Sequence, residues 1–117
     1  QEPADSEKGA ELRQGISILM ERYWQVLTRD GLSDAAREAY LALAGRIAKS
    51  LDLPAYRALT PRELSVSCAY ERYAVIFARF IRMYERIRYG NRGSDQDRKR
   101  FEHALQNADR VTGGDEH

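Results

Sequence analysis

One cysteine, two histidines, one tryptophan and three prolines are all that this chain of 117 residues carries of those types. A lone Cys68 excludes an internal disulfide. His103 and His117 stand far apart in sequence and no second cysteine joins them, so no zinc-ligand spacing is present. Neither a metal nor a cofactor is expected. The one glycine pair, Gly113-Gly114, lies at the C-terminal end, and no glycine-rich phosphate loop is written anywhere. No apolar run approaches the ~20 residues that cross a bilayer. No charge sign dominates either. The 19 Lys and Arg against 18 Asp and Glu leave +1, which gives no global pull toward nucleic acid or anionic membrane.

What is present is helical periodicity. Apolar residues make up 43% of the chain, enough for one globular domain. Leu12, Ile16, Leu19, Tyr23 and Val26 recur at helical spacing and predict a helix from about Glu7 to Thr28, with Tyr23 and Trp24 expected in the core and a membrane-interface anchor as their alternative use. Asp30-Gly31 is a stop signal. Ser33 is the expected N-cap of a second helix, with Asp34 in its first turn and Tyr40, Leu43, Ile47 and Leu51 along one face. Asp52-Leu53-Pro54 ends it. The longest and most apolar stretch, about Ala69 to Tyr89, predicts a central helix faced by Tyr73, Ile76, Phe77, Phe80, Tyr84 and Ile87. Ser94 caps a last helix with Asp95 and Asp97 in its first turn and Phe101, Leu105 and Ala108 inward. No segment alternates with period two. The expected fold is an all-α, single-domain bundle of four to five helices around a long central one.

Two motifs punctuate this pattern. Thr60-Pro61-Arg62-Glu63-Leu64 is a helix start, with Pro61 at the first helical position. Glu63 sits at the reciprocal spacing from Thr60 that a capping box requires. Tyr84-Glu85-Arg86-Ile87-Arg88-Tyr89-Gly90 is a helix end, with Gly90 the expected left-handed residue beyond it. Arg88 or Arg62 is expected to reach a carboxylate on a neighbouring helix, Glu63 or Glu85, and so lock the third helix onto the fourth. The tyrosine hydroxyls would cap loop carbonyls. A binding surface for a ligand or partner is the alternative use of these residues.

The order of these features over residues 33–111 resembles the domain of unknown function 4129 family. That resemblance implies a water-soluble domain at the C-terminal end of a multi-pass membrane protein, on the cytoplasmic face, many of whose relatives also carry a transglutaminase-like domain. That context, together with the lack of a catalytic constellation in the sequence, makes an interaction or regulatory role the expectation, with a protein partner or the protein's own membrane domain as what it binds. Residues 1–32 lie outside the pattern and read as an acidic tail plus an added or juxtamembrane helix; residues 112–117 read as a tail. The chain opens Gln1-Glu2-Pro3 rather than with Met, which fits a piece of a longer protein.

A basic cluster, Arg79, Arg82, Arg86, Arg88, Arg92, Arg98, Lys99 and Arg100, is the remaining candidate. Glu85, Asp95 and Asp97 offset part of it. The default for such a run is a solvated face. Anionic lipid headgroups come next as a partner, and nucleic acid, with the interleaved tyrosines as stacking platforms, comes last. A Cys68–His103–Asp109 nucleophilic set is not expected, because such chemistry needs Cys and His in hydrogen-bond reach and nothing in the spacing brings them together.

Overall fold

The computed structural model describes residues 17–90 and 93–114. They form α1 (Ile18–Asp30), α2 (Leu32–Leu51), α3 (Pro61–Ser67), α4 (Ala74–Arg88) and α5 (Asp95–Asp109). A 3-10 turn at Tyr56–Ala58 precedes α3, and a π turn at Arg110–Gly114 follows α5. No strand occurs among the described residues, and the bundle is all-α as the periodicity predicts. The predicted extension of the first helix back to Glu7, with Leu12 and Ile16, lies outside the described residues, as does Arg92.

The local chemistry sets most helix ends. Ser17 accepts from the Met20 N–H at 3.1 Å and opens α1. Thr60 and Glu63 form the full capping box: the Glu63 N–H donates to Thr60 Oγ1 at 3.1 Å and the Thr60 N–H donates to Glu63 Oε1 at 2.8 Å. Ser94 Oγ accepts from the Asp97 N–H at 3.1 Å and opens α5. Beyond α4 the Gly90 N–H donates to the Glu85 and Arg86 carbonyls, both at 3.2 Å. Two orphan carbonyls of the helix end are satisfied in this way.

The cap of α2 departs from expectation. Ser33 is not the N-cap, because the helix already begins at Leu32 and Gly31 serves both neighbours. Its N–H donates to the Leu27 carbonyl at 3.1 Å and closes α1, while its carbonyl accepts from Ala35 at 3.0 Å and opens α2. Its φ of 98° and ψ of 175° fall in a region that only glycine enters without strain. A single residue therefore turns the chain between two helices.

The long central helix is also corrected. It starts at Ala74, not Ala69, and α2 with 20 residues is the longer. Between Ser65 and Ala74 the backbone makes a run of three-residue turns, among them Cys68 to Ser65 at 3.1 Å, Glu71 to Cys68 at 2.9 Å and Ala74 to Glu71 at 3.1 Å. Ser65, Val66, Ser67 and Cys68 are weak helix formers, and tertiary packing wants a reversal here. A continuous helix would hold Arg62 and Glu85 roughly 35 Å apart at 1.5 Å per residue, yet the two side chains touch. The central position is shared: α2 packs against α1, α4 and α5, while α4 packs against α2, α3 and α5.

A chain of aromatic rings runs through the core among aliphatic side chains, with exposed Tyr89 at one end and partly exposed Trp24 at the other. Tyr89 meets Tyr84 edge-on at 6.4 Å, Tyr84 lies along Phe80 at 6.2 Å, and Phe80 reaches Phe101 at 5.4 Å. Phe101 meets Tyr23 at 5.9 Å and Tyr23 meets Trp24 at 5.1 Å. Tyr40 stacks on Tyr84 at 4.8 Å as a branch. Leu43, Ile47, Leu64 and Leu105 fill the space between and are fully buried, each stabilising the fold by roughly 1.5–3 kcal/mol relative to exposure. Trp24 departs from its expected burial: 37% of it is exposed at the edge of α1, while Tyr23 is wholly buried.

Candidate functional site

The conspicuous residues of the two motifs end up at helix junctions. Arg62 at the start of α3 donates to both carboxylate oxygens of Glu85 on α4, through Nε to Oε2 at 2.9 Å and Nη2 to Oε1 at 3.0 Å. Of the pairings the sequence left open, this is the one formed, and the hydrogen bonds to Glu85 raise the Arg62 pKa further. The pair is bidentate but its arginine is exposed, so solvent screens it. Arg88 does not take a carboxylate. Its Nη1 donates to Ser33 Oγ at 3.0 Å and leans toward the Ser33 carbonyl at 3.4 Å, tying the end of α4 to the start of α2. The Tyr84 and Tyr89 hydroxyls donate to no loop carbonyl among the described residues; Tyr84 is a core ring instead, and burial pushes its pKa up.

Two junctions carry no motif. Asp109 closes α5 and is only 6% exposed. An acid at a helix C-terminus faces the negative end of the dipole, so it needs a cation. Arg46 of α2 supplies one: its Nη1 donates to Asp109 Oδ1 at 2.9 Å, to the Asp109 carbonyl at 3.1 Å and to Thr112 Oγ1 at 3.1 Å. Thr112 in turn donates to the Ala108 carbonyl at 2.7 Å. Thr112 and Gly113, read from the sequence as tail, belong to this packed end. Tyr23 donates to Glu102 Oε2 at 2.8 Å and joins α1 to α5. Sequence reasoning missed both junctions. The one signal for the first was an aspartate at the wrong end of an apolar helix face.

Cys68 is fully buried, and its thiol donates to the Leu64 carbonyl at 3.2 Å. Burial pushes its pKa up to about 11, away from a nucleophilic thiolate. His103 is exposed on α5, in a groove away from this thiol's partners, so the two do not form a pair. Among the described residues no three His, Cys, Asp or Glu side chains gather as metal ligands. No helix among them is long and apolar enough to cross a membrane.

The basic cluster divides into two sets. Arg86 pairs with Asp97 at 3.3 Å and Arg98 with Glu102 at 3.6 Å, while Arg88 is held by Ser33. These three serve the bundle. Arg79, Lys99 and Arg100 have no ion-pair partner among the described residues. They line an open groove of about 570 Å³ between α4 and α5, together with Met83, Gln96 and His103. Arg82 is exposed on α4. Three large apolar side chains stand in solvent around the α3–α4 turn, Val66 at 74%, Tyr70 at 100% and Val75 at 79% exposed, and Ile18 and Tyr89 are exposed elsewhere.

No family model, curated protein or solved structure matches this chain.

Proposed function

We propose that this chain is a non-enzymatic helical interaction domain, the cytoplasmic part of a larger membrane-anchored and transglutaminase-associated protein, that regulates by binding a protein partner or its own membrane domain. The observation that carries the reading is the division of labour among its side chains. Thr60, Arg62, Glu63, Glu85 and Arg88 of the two motifs are spent on helix starts and helix junctions, and Tyr84 on the core. Meanwhile Val66, Tyr70 and Val75 stand in solvent around one turn. Tyrosine is among the residue types enriched at protein-binding hot spots. The membrane context is supported by the family resemblance of residues 33–111.

The test places a photo-crosslinking amino acid at Tyr70, or at exposed Ala42 on α2 as control, in cells that make the protein. A discrete adduct at Tyr70, absent at Ala42 and recovered with membranes, is the expected result. Equal adducts at both positions, or none at Tyr70, overturn the reading. An adduct of two copies of this chain would replace the heterologous partner with self-association.

A further inference from the structure

The geometry points to the α4–α5 groove as a binding site for a phosphate monoester, a ligand class outside the protein-contact reading above. The register of the two helices builds it. Phe80 rests on Phe101 at 5.4 Å and Arg86 reaches Asp97 at 3.3 Å. The helices thus run antiparallel, and this register sets Arg79 opposite His103 and Met83 opposite Lys99 and Arg100. On α5, Gln96, Lys99, Arg100 and His103 fall at helical spacing along one flank. On α4, Arg79 and Met83 do the same.

All six side chains line one groove. Three carry permanent charge, His103 adds a ring N–H, Gln96 adds an amide, and Met83 gives an apolar floor. The lining contains no carboxylate. Of the acids that flank the lining along α5, Asp97 is held by Arg86 and by the Ser94 hydroxyl at 2.9 Å, and Glu102 by Arg98 and the Tyr23 hydroxyl. Two guanidinium forks and an ammonium suit an anion with several oxygens and more than one charge, because each fork can take two of them. A carboxylate, with one charge, would leave most of that charge unmatched, whereas a phosphate monoester, with about two, offsets the greater part of it. The volume of about 570 Å³ exceeds what a bare phosphate fills and lies in the range of small-molecule sites. The phosphate is therefore expected on a polyol, a nucleoside or a lipid headgroup.

The test uses the folded chain and two probes: pyrophosphate, and vesicles of phosphatidylcholine doped with phosphatidic acid, whose headgroup is a monoester. Phosphatidylserine vesicles, with a diester, are the control surface. Saturable pyrophosphate binding should move amide resonances of residues 79–83 and 96–103. The double variant Arg79→Gln/Arg100→Gln should weaken it about tenfold or more. Arg57→Gln/Arg72→Gln, which removes the same charge from exposed positions outside the groove, should change it less than about twofold. Both pairs sit on the surface, and thermal unfolding verifies that each variant folds. Binding of phosphatidic acid over phosphatidylserine vesicles, lost in the groove variant, assigns a lipid headgroup. Pyrophosphate binding without vesicle binding assigns a soluble phosphate compound. No saturable binding at low salt, or equal weakening by both double variants, overturns the site.

Discussion

Arg46 and Arg62 each form a short contact with a carboxylate, yet their surroundings give the two contacts opposite weights. Arg62 stands in solvent, where its attraction to Glu85 is screened and the ordering of a long side chain opposes it. Arg46 neutralises an aspartate that is almost wholly enclosed. Removing a partner from a buried charge leaves that charge desolvated and uncompensated. Arg46→Ala is therefore expected to destabilise the fold by about 2–3 kcal/mol, given that the arginine is partly exposed. Asp109→Asn added to it should return part of the loss, because a buried amide is less costly than a buried carboxylate. Arg62→Ala should leave the urea midpoint close to that of the native chain. Urea unfolding of the four proteins decides the ranking, and a larger loss for Arg62→Ala than for Arg46→Ala would refute it.

Helices and their ends were the part of this molecule most open to reading from sequence. Capping chemistry is local: Thr60 and Glu63, or Ser94 and Asp97, interact within one turn, so their spacing is sufficient evidence. The Ser33 cap failed for a reason also local in origin, since a glycine two residues earlier could end one helix and begin the next. The α3–α4 boundary failed for a tertiary reason. Periodicity continues through Tyr73, but α3 must fold back for Arg62 to meet Glu85, and a one-dimensional pattern does not encode that reversal. The α4–α5 groove was half legible. Arg79, Lys99 and Arg100 were named in the basic cluster but Met83, Gln96 and His103 were not, and only the antiparallel register separates the cations paired inside the bundle from those facing solvent. The Gly31 joint gives the prediction at this scale. Any Cβ at that backbone conformation is strained, although nothing crowds the space around it. Gly31→Ala should cost about 1–3 kcal/mol while leaving the helix content seen by circular dichroism unchanged. A neutral substitution would show that the joint relaxes freely.

The whole bundle shares one response to alkali. Burial pushes Tyr40 up to about 12 and Cys68 up to about 11, and it raises Tyr23 and Tyr84 as well. Their folded values lie above the ordinary 9.0 of a thiol and 10.0 of a phenol. At pH above those ordinary values the unfolded chain gives up protons that the folded chain keeps, so unfolding gains free energy. Stability from these groups is complete below pH 9.0 and is lost as pH rises through 10.0 toward 12. The urea midpoint should hold up to the lower bound and fall steadily beyond it. A midpoint flat across that window would mean the rings and the thiol are hydrated in the fold. The continuity of the ring column from Tyr89 to Trp24 has an optical consequence. Excitation absorbed by any of its tyrosines can pass from ring to ring and leave as indole fluorescence, because the single tryptophan terminates the series. The emission ratio of the two chromophores is thus an intrinsic gauge of whether α1, α4 and α5 remain assembled, with no label attached.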